Sequence, residues 1–160
     1  MNLDAVTRRL ELEELYTDYA HCLDNDALED WPEFFTDDCY YRITSAENFE
    51  AGLPIGIVYA TSKAMLVDRV MALRQANIYE PQRYRHLVGG FKIGSGEAGG
   101  VLAVTANFLV VRTMQDGGMS LFAAGRYVDR VVRHGDAWKF ARKEAVLDSR
   151  QIDTLLAIPL

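Results

Sequence analysis

YRHLVGGFKIGSGEAGGVLAVTANFLVVRTMQDGGMSLFAAGRYVDRVVRHGDAWKFARKEAVL, residues 84–147, is the stretch that decides the fold. Its hydrophobic period is close to two, and turn residues cut it into four runs: Tyr84–Ile93, Val101–Met114, Met119–Arg133 and Trp138–Leu147. The connections Gly94-Ser95-Gly96, Asp116-Gly117-Gly118 and His134-Gly135-Asp136 are short and supply the positive-φ positions of hairpins. Strands joined in this way must be antiparallel. Leu102, Val104, Ala106, Phe108 and Val110 line one face of the second run, yet Leu109 and Val111 make the other face apolar too. A sheet covered on both sides reads like this, either by its own chain or by a partner subunit.

Upstream the period is helical. Leu12, Leu15, Tyr16, Tyr19, Ala20 and Leu23 form one stripe, with Asn2 or Asp4 as cap and Asp24-Asn25 as the end. A second, short helical stretch is predicted from Asp26 and Glu29, spaced as a capping box. Pro32 then opens a turn that carries Phe34 and Phe35. Cys39 to Thr44 reads as a strand, Asn48 to Pro54 as loop and Gly56 to Tyr59 as a short extended piece. Ser62 caps another helix, with Leu66, Val70 and Leu73 on one face and Asn77 and Pro81 at its close. Helices first and an antiparallel meander second is the α+β order, and Leu15, Tyr19, Leu23, Phe34, Leu66, Val70, Phe108 and Trp138 are expected to be mostly buried in its core. With 160 residues and no repeat or linker, a single domain over 1–160 is expected.

Composition narrows the function. Asp and Glu outnumber Lys and Arg by 23 to 17, a formal charge of −6, which argues against nucleic acid and anionic membrane partners. Cys22 and Cys39 form no CxxC pair and fit reduced thiols in a cytoplasm. The opening Met1-Asn2-Leu3-Asp4 lacks the basic start and apolar stretch of a secretory signal. No nucleophile elbow, phosphate loop or zinc-helix motif is present.

Of the three histidines, His134 sits in a predicted hairpin turn, and His21 is placed to pair with Asp24 at i,i+3. His86, within Tyr84-Arg85-His86, could join Asp24 and Tyr19 or Tyr41 as an acid–base site, or be a hydrogen-bonded structural residue. Arg69, Arg74, Arg83 and Arg85, with Tyr79 and Tyr84 among them, read as a subunit contact or as a solvated face. The apolar ending Leu155-Leu156-Ala157-Ile158-Pro159-Leu160 must dock on its own sheet or on a partner, so Ile158 and Leu160 join the interface candidates.

Taken in order, these segments resemble the β (small) subunit of bacterial aromatic-ring-hydroxylating dioxygenases. The resemblance runs from about Leu10 to Leu160. It is carried by Tyr19 and Asp24, Trp31, Phe34-Phe35, Asp37-Asp38-Cys39 with Tyr41, and Gly56-Ile57-Val58. It continues through Met65-Leu66, Asp68-Arg69, Ala72-Leu73-Arg74, Ala76-Asn77-Ile78-Tyr79, Tyr84-Arg85-His86, Asp148-Ser149, Asp153-Thr154-Leu155-Leu156 and Ile158-Pro159-Leu160. It is greatest to the branch acting on terephthalate, benzoate or anthranilate.

The resemblance implies a cone similar to nuclear transport factor two, with three N-terminal helices on a strongly curved antiparallel sheet. It implies a cofactor-free structural subunit with no catalytic, cofactor or metal residues of its own. The Rieske iron–sulfur cluster and the mononuclear iron would lie in a partner α subunit that cis-dihydroxylates an aromatic ring. Three α and three β chains would assemble, with β as a trimeric scaffold. The same fold hosts dehydratases, isomerases and cyclases, so a free-standing enzyme using His86, Asp24, Tyr19 and Tyr41 inside the cone stands as the alternative.

Overall fold

The computed structural model describes residues 2–76, 79–96, 98–149 and 156–160. Helix α1, Leu3–Asp24, is capped by Asn2, whose side chain accepts from the amides of Asp4 and Ala5. Its stripe of Leu12, Leu15, Tyr16, Tyr19, Ala20 and Leu23 is buried as the spacing predicts. A 3₁₀ turn, Trp31–Phe34, follows with Pro32 in its first turn, and leads into β1, Phe35–Ser45. Helix α3, Lys63–Gln75, starts where Ser62 accepts from the Met65 amide, and buries Leu66, Val70 and Leu73. Strand β2, Val58–Ala60, precedes it, and β3 (Gln82–Ile93), β4 (Leu102–Met114), β5 (Met119–His134) and β6 (Ala137–Leu147) follow. These four ends fall within two residues of the predicted runs.

The strands form one six-stranded sheet in the order β2-β1-β6-β5-β4-β3. It is mixed rather than purely antiparallel, because β1 runs parallel to β6. Hairpin logic constrains only strands that follow one another, and residues 46–136, more than half of the chain, separate this pair. One register row crosses four strands: Tyr41 on β1, Lys143 on β6, Asp129 on β5 and Val104 on β4. That row lies on the face covered by α1 and α3, with Tyr127 and Ala145 one row further on.

Three further expectations are corrected. Asp26 and Glu29 do not box a helix: Asp26 takes φ 57° in a turn, and both carboxylates receive Arg74 from α3, at 2.9 and 2.7 Å. The stretch between α1 and β1 is therefore turns and a 3₁₀ segment, not the short capped helix expected. The supposed loop from Asn48 starts inside a short helix α2, Ala46–Glu50. Ser45 caps it by accepting from the Asn48 amide, and Gly52, at φ +67°, ends it with the Leu53 amide reaching the Asn48 carbonyl. Phe34 and Trp138, expected in the core, are only partly buried at its rim. Asn77, Ile78, Asp153, Thr154 and Leu155 lie outside the described residues.

Gly125 on β5 pairs with Leu147 on β6. A Cβ there would stand 2.0 Å from the Val146 carbonyl oxygen, whereas one at Gly89 would meet nothing within 4 Å. Gly125→Ala must push two paired backbones apart, so it should lower stability by about 1–3 kcal/mol in urea unfolding. Gly89→Ala, in ordinary strand geometry, should be neutral or raise stability by about 0.4–1 kcal/mol.

Candidate functional site

Asp24 closes α1, and its carboxylate turns to β3. Oδ2 accepts the His86 backbone N–H at 2.9 Å and Oδ1 lies 2.6 Å from His86 Nδ1. Both side chains are buried. With Nδ1 turned to Asp24, Nε2 is the ring nitrogen left over, and this atom is buried with no hydrogen-bond partner among the described residues. His21, expected to pair with Asp24, is exposed instead. The pair thus latches the end of the first helix to the edge strand of the sheet. It could act as a base only if a substrate reached Nε2.

Tyr19 and Tyr41 do not face open space. Both hydroxyls donate to the Leu160 carbonyl, at 2.8 and 2.9 Å, while the Leu160 amide and Trp31 Nε1 donate to Tyr41 and Tyr19. Burial pushes the titration of both phenols up, and Arg69 partly opposes this at Tyr41. Residues 156–160 are buried, and Arg69 donates to the Leu156 carbonyl at 3.2 Å. Ile158 and Leu160 are therefore packed into their own chain, and Arg74 holds the Asp26–Glu29 turn. Arg74 is exposed too, at that turn; the other exposed interface candidates are Arg83 and Arg85. They rim a groove of about 590 Å³ with Tyr79, Asp24, Asp26 and Ile158.

The centre of the cone holds groups that no motif marked. Lys143 and Asp129 are fully buried register partners, with Nζ 2.9 Å from Oδ2. Tyr16 donates its hydroxyl to the same carboxylate oxygen, and the Glu144 amide donates to the other at 3.2 Å. The Lys143 ammonium lies 3.5 Å from the ring centre of Tyr127, 4.2 Å from Phe140, and 4.6 Å from Tyr16 and Tyr19. Burial pushes Lys143 down to about 8 and Asp129 up, each shift opposed by the other's charge. The available signal was a pair of opposite charges at inward positions, Asp129 between Tyr127 and Val131, and Lys143 before Ala145 and Leu147.

Outside the cone the sheet carries an apolar patch. Leu87, Met119 and Leu121 are 54, 75 and 74 % exposed. Arg85, Val111 and Leu121 share one register row, and Arg83, Thr113 and Met119 the next. Arg83, Arg85 and this patch are thus one continuous surface across β3, β4 and β5.

The model of the family described as "Ring hydroxylating beta subunit" matches residues 19–154. The chain belongs to that family. It is 47 % identical over 142 residues to the terephthalate 1,2-dioxygenase terminal oxygenase component subunit beta 1 of Comamonas sp, covering 89 % of this chain and 92 % of the relative. It is 43 % identical over 150 residues to the anthranilate 1,2-dioxygenase small subunit of Burkholderia cepacia, covering 94 and 92 %. The crystal structure of a Novosphingobium aromaticivorans β subunit, described as that of an aromatic-ring-hydroxylating dioxygenase, superposes with a TM-score of 0.88 at 38 % identity over 98 and 99 % of the two chains. The dioxygenase small subunit is a non-catalytic part of a multi-subunit enzyme, and its fold is the expected α+β cone.

Linkage gives a test of this β subunit's interior. Between about pH 8 and the unfolded lysine value of about 10.4, the unfolded chain holds a proton on residue 143 that the folded chain has released. Lys143 therefore adds stability as pH rises through that window. Above about 10 the raised phenols of Tyr16, Tyr19 and Tyr127 act the other way, since they stay protonated only in the folded state. A ¹³C-detected titration of Lys143 should show a midpoint near 8. Urea unfolding of the wild type, measured against Lys143→Met, should show the relative gain between pH 8 and 10.

Proposed function

We propose that this chain is the cofactor-free β subunit of a Rieske non-haem iron dioxygenase that cis-dihydroxylates an aromatic carboxylate. It works in the cytoplasm as one folding unit over 1–160. The observation that carries the reading is family membership across 19–154, combined with an interior in which Tyr16, Tyr19, Tyr41, Asp129 and Lys143 are all hydrogen-bonded within the chain. The identity to anthranilate and terephthalate dioxygenase subunits supports an aromatic carboxylate as substrate of the complex.

The Rieske cluster and the mononuclear iron would be held by a partner α subunit. This chain's donors do not fit them. Burial pushes the Cys22 and Cys39 thiols up to about 11, away from the thiolate form that binds metal. Among the described residues no three His, Cys, Asp or Glu side chains converge to hold an ion.

Assembly is the contribution left to this chain. Three β copies would form a trimer supporting three α chains, through the surface of Tyr79, Arg83, Arg85, Leu87, Met119 and Leu121. In a chain of charge −6 an arginine-edged apolar patch is a local exception. Such a patch fits a partner surface that is apolar at its centre and acidic at its rim. His86, Asp24, Tyr19 and Tyr41 then act structurally, the first two as a latch between helix and strand and the others as anchors for Leu160.

Two sets of variants test this in complexes co-expressed with the α chain. Arg85→Glu with Leu121→Asp should weaken assembly by about tenfold or more, which corresponds to at least ~1.4 kcal/mol, and leave the melting temperature of the isolated chain unchanged. His86→Gln should lower turnover only as far as it lowers assembly or stability. A correctly assembled His86→Gln complex with turnover down ~100- to 10,000-fold would instead make His86 a general base.

A further inference from the structure

Lys143 sits in the cone as a bound ligand would. Asp129 is held from two sides, by the Tyr16 hydroxyl and the Glu144 amide, so its carboxylate is fixed independently of the lysine. Around the ammonium stand π faces from two elements besides its own strand: Tyr16 and Tyr19 from α1, and Tyr127 from β5. Phe140, on the same strand as Lys143, adds a fourth face. A fixed carboxylate plus several ring faces is the recognition chemistry of an organic cation with at least one N–H. A guanidinium would present a planar fork to a carboxylate already occupied by two other donors. A quaternary ammonium would have no hydrogen for Asp129.

We propose that the centre of the cone is a binding site for a primary alkylammonium, filled in this chain by its own Lys143 side chain. The tether makes this an intramolecular event with a high effective concentration, so a free amine does not displace it. Binding and fold are then the same interaction: the occupant joins β5, β6 and α1 from inside. The inference goes beyond the subunit reading, since it holds whichever partner the outer surface meets.

Lys143→Ala removes Cγ, Cδ, Cε and Nζ, which together are propylammonium. The variant should melt lower than wild type, and propylammonium should restore it saturably. The isosteric alcohol 1-propanol and tetramethylammonium should not, and the wild type should not respond. The response should vanish in Lys143→Ala with Asp129→Asn. Where Lys143→Ala does not fold in plain buffer, refolding yield with and without propylammonium reads the same quantity. An equal effect of 1-propanol, a response that survives loss of Asp129, or no amine effect up to about 0.1 M, some hundredfold above a millimolar Kd, overturns the proposal. A measurement on the wild type needs no variant: ring currents should move the Lys143 ε-methylene protons upfield of those of exposed lysines. Unshifted protons would equally overturn it.

Discussion

A buried ammonium and a buried carboxylate, facing each other across β5 and β6, set the terms for the rest of this molecule. Taking either ion out of water costs several kcal/mol, and that cost is offset only when geometry and accessory hydrogen bonds are good. Here Asp129 has its partner at 2.9 Å, a phenol and a backbone amide, and Lys143 has four ring faces. Losing one member would leave the other charge uncompensated, a penalty of about 3–5 kcal/mol. The row that carries the pair also carries Tyr41, whose hydroxyl meets Leu160 together with that of Tyr19. The ion pair, the tyrosines and the tail are therefore one connected interior, and the sheet has to curve around it.

That interior bears on how the chain can serve a dioxygenase. An enzyme site inside a cone needs polar groups with unused capacity facing space that a substrate can enter. In this chain the Tyr19 and Tyr41 hydroxyls are taken by a main-chain carbonyl, and two groups without a partner among the described residues, His86 Nε2 and the Tyr127 hydroxyl, are buried. The outer face, by contrast, leaves Leu87, Met119 and Leu121 in solvent beside Arg83 and Arg85. A β subunit that works through its surface needs a rigid interior and an adhesive exterior, and the residues divide along that line.

The periodic parts of this design were legible in the sequence. Leu66, Val70 and Leu73 declared the buried face of α3, and the alternation from Leu102 to Val110 declared that of β4, because each depends on local spacing. The parallel pairing of β1 with β6 was not legible, since no turn joins those strands and nothing local marks the register of Tyr41 against Lys143. Helix α2 was hidden because Gly52 and Pro54 read as loop, although Ser45 caps its start and Gly52 follows its C-cap, Ala51. At the site, His86 and Asp24 were paired in advance by chemistry alone. Asp129 and Lys143 were not, because charges in strands usually face water and only the fold shows that these two point inward. Leu121 was missed for a related reason: the register shift between Val110 and Val111 turns it outward.

The central claim is that the β subunit acts through its outer sheet face and not through its interior. Amide hydrogen exchange, followed on this chain in the presence of its α partner and then of the aromatic substrate, tests it most directly. The α chain should slow exchange along β3 to β5 around Arg83, Arg85 and Leu121. Substrate should then leave the amides around Tyr127, Asp129 and Lys143 unchanged. Substrate-dependent protection at those interior amides, with no α-dependent change on the outer face, would contradict it.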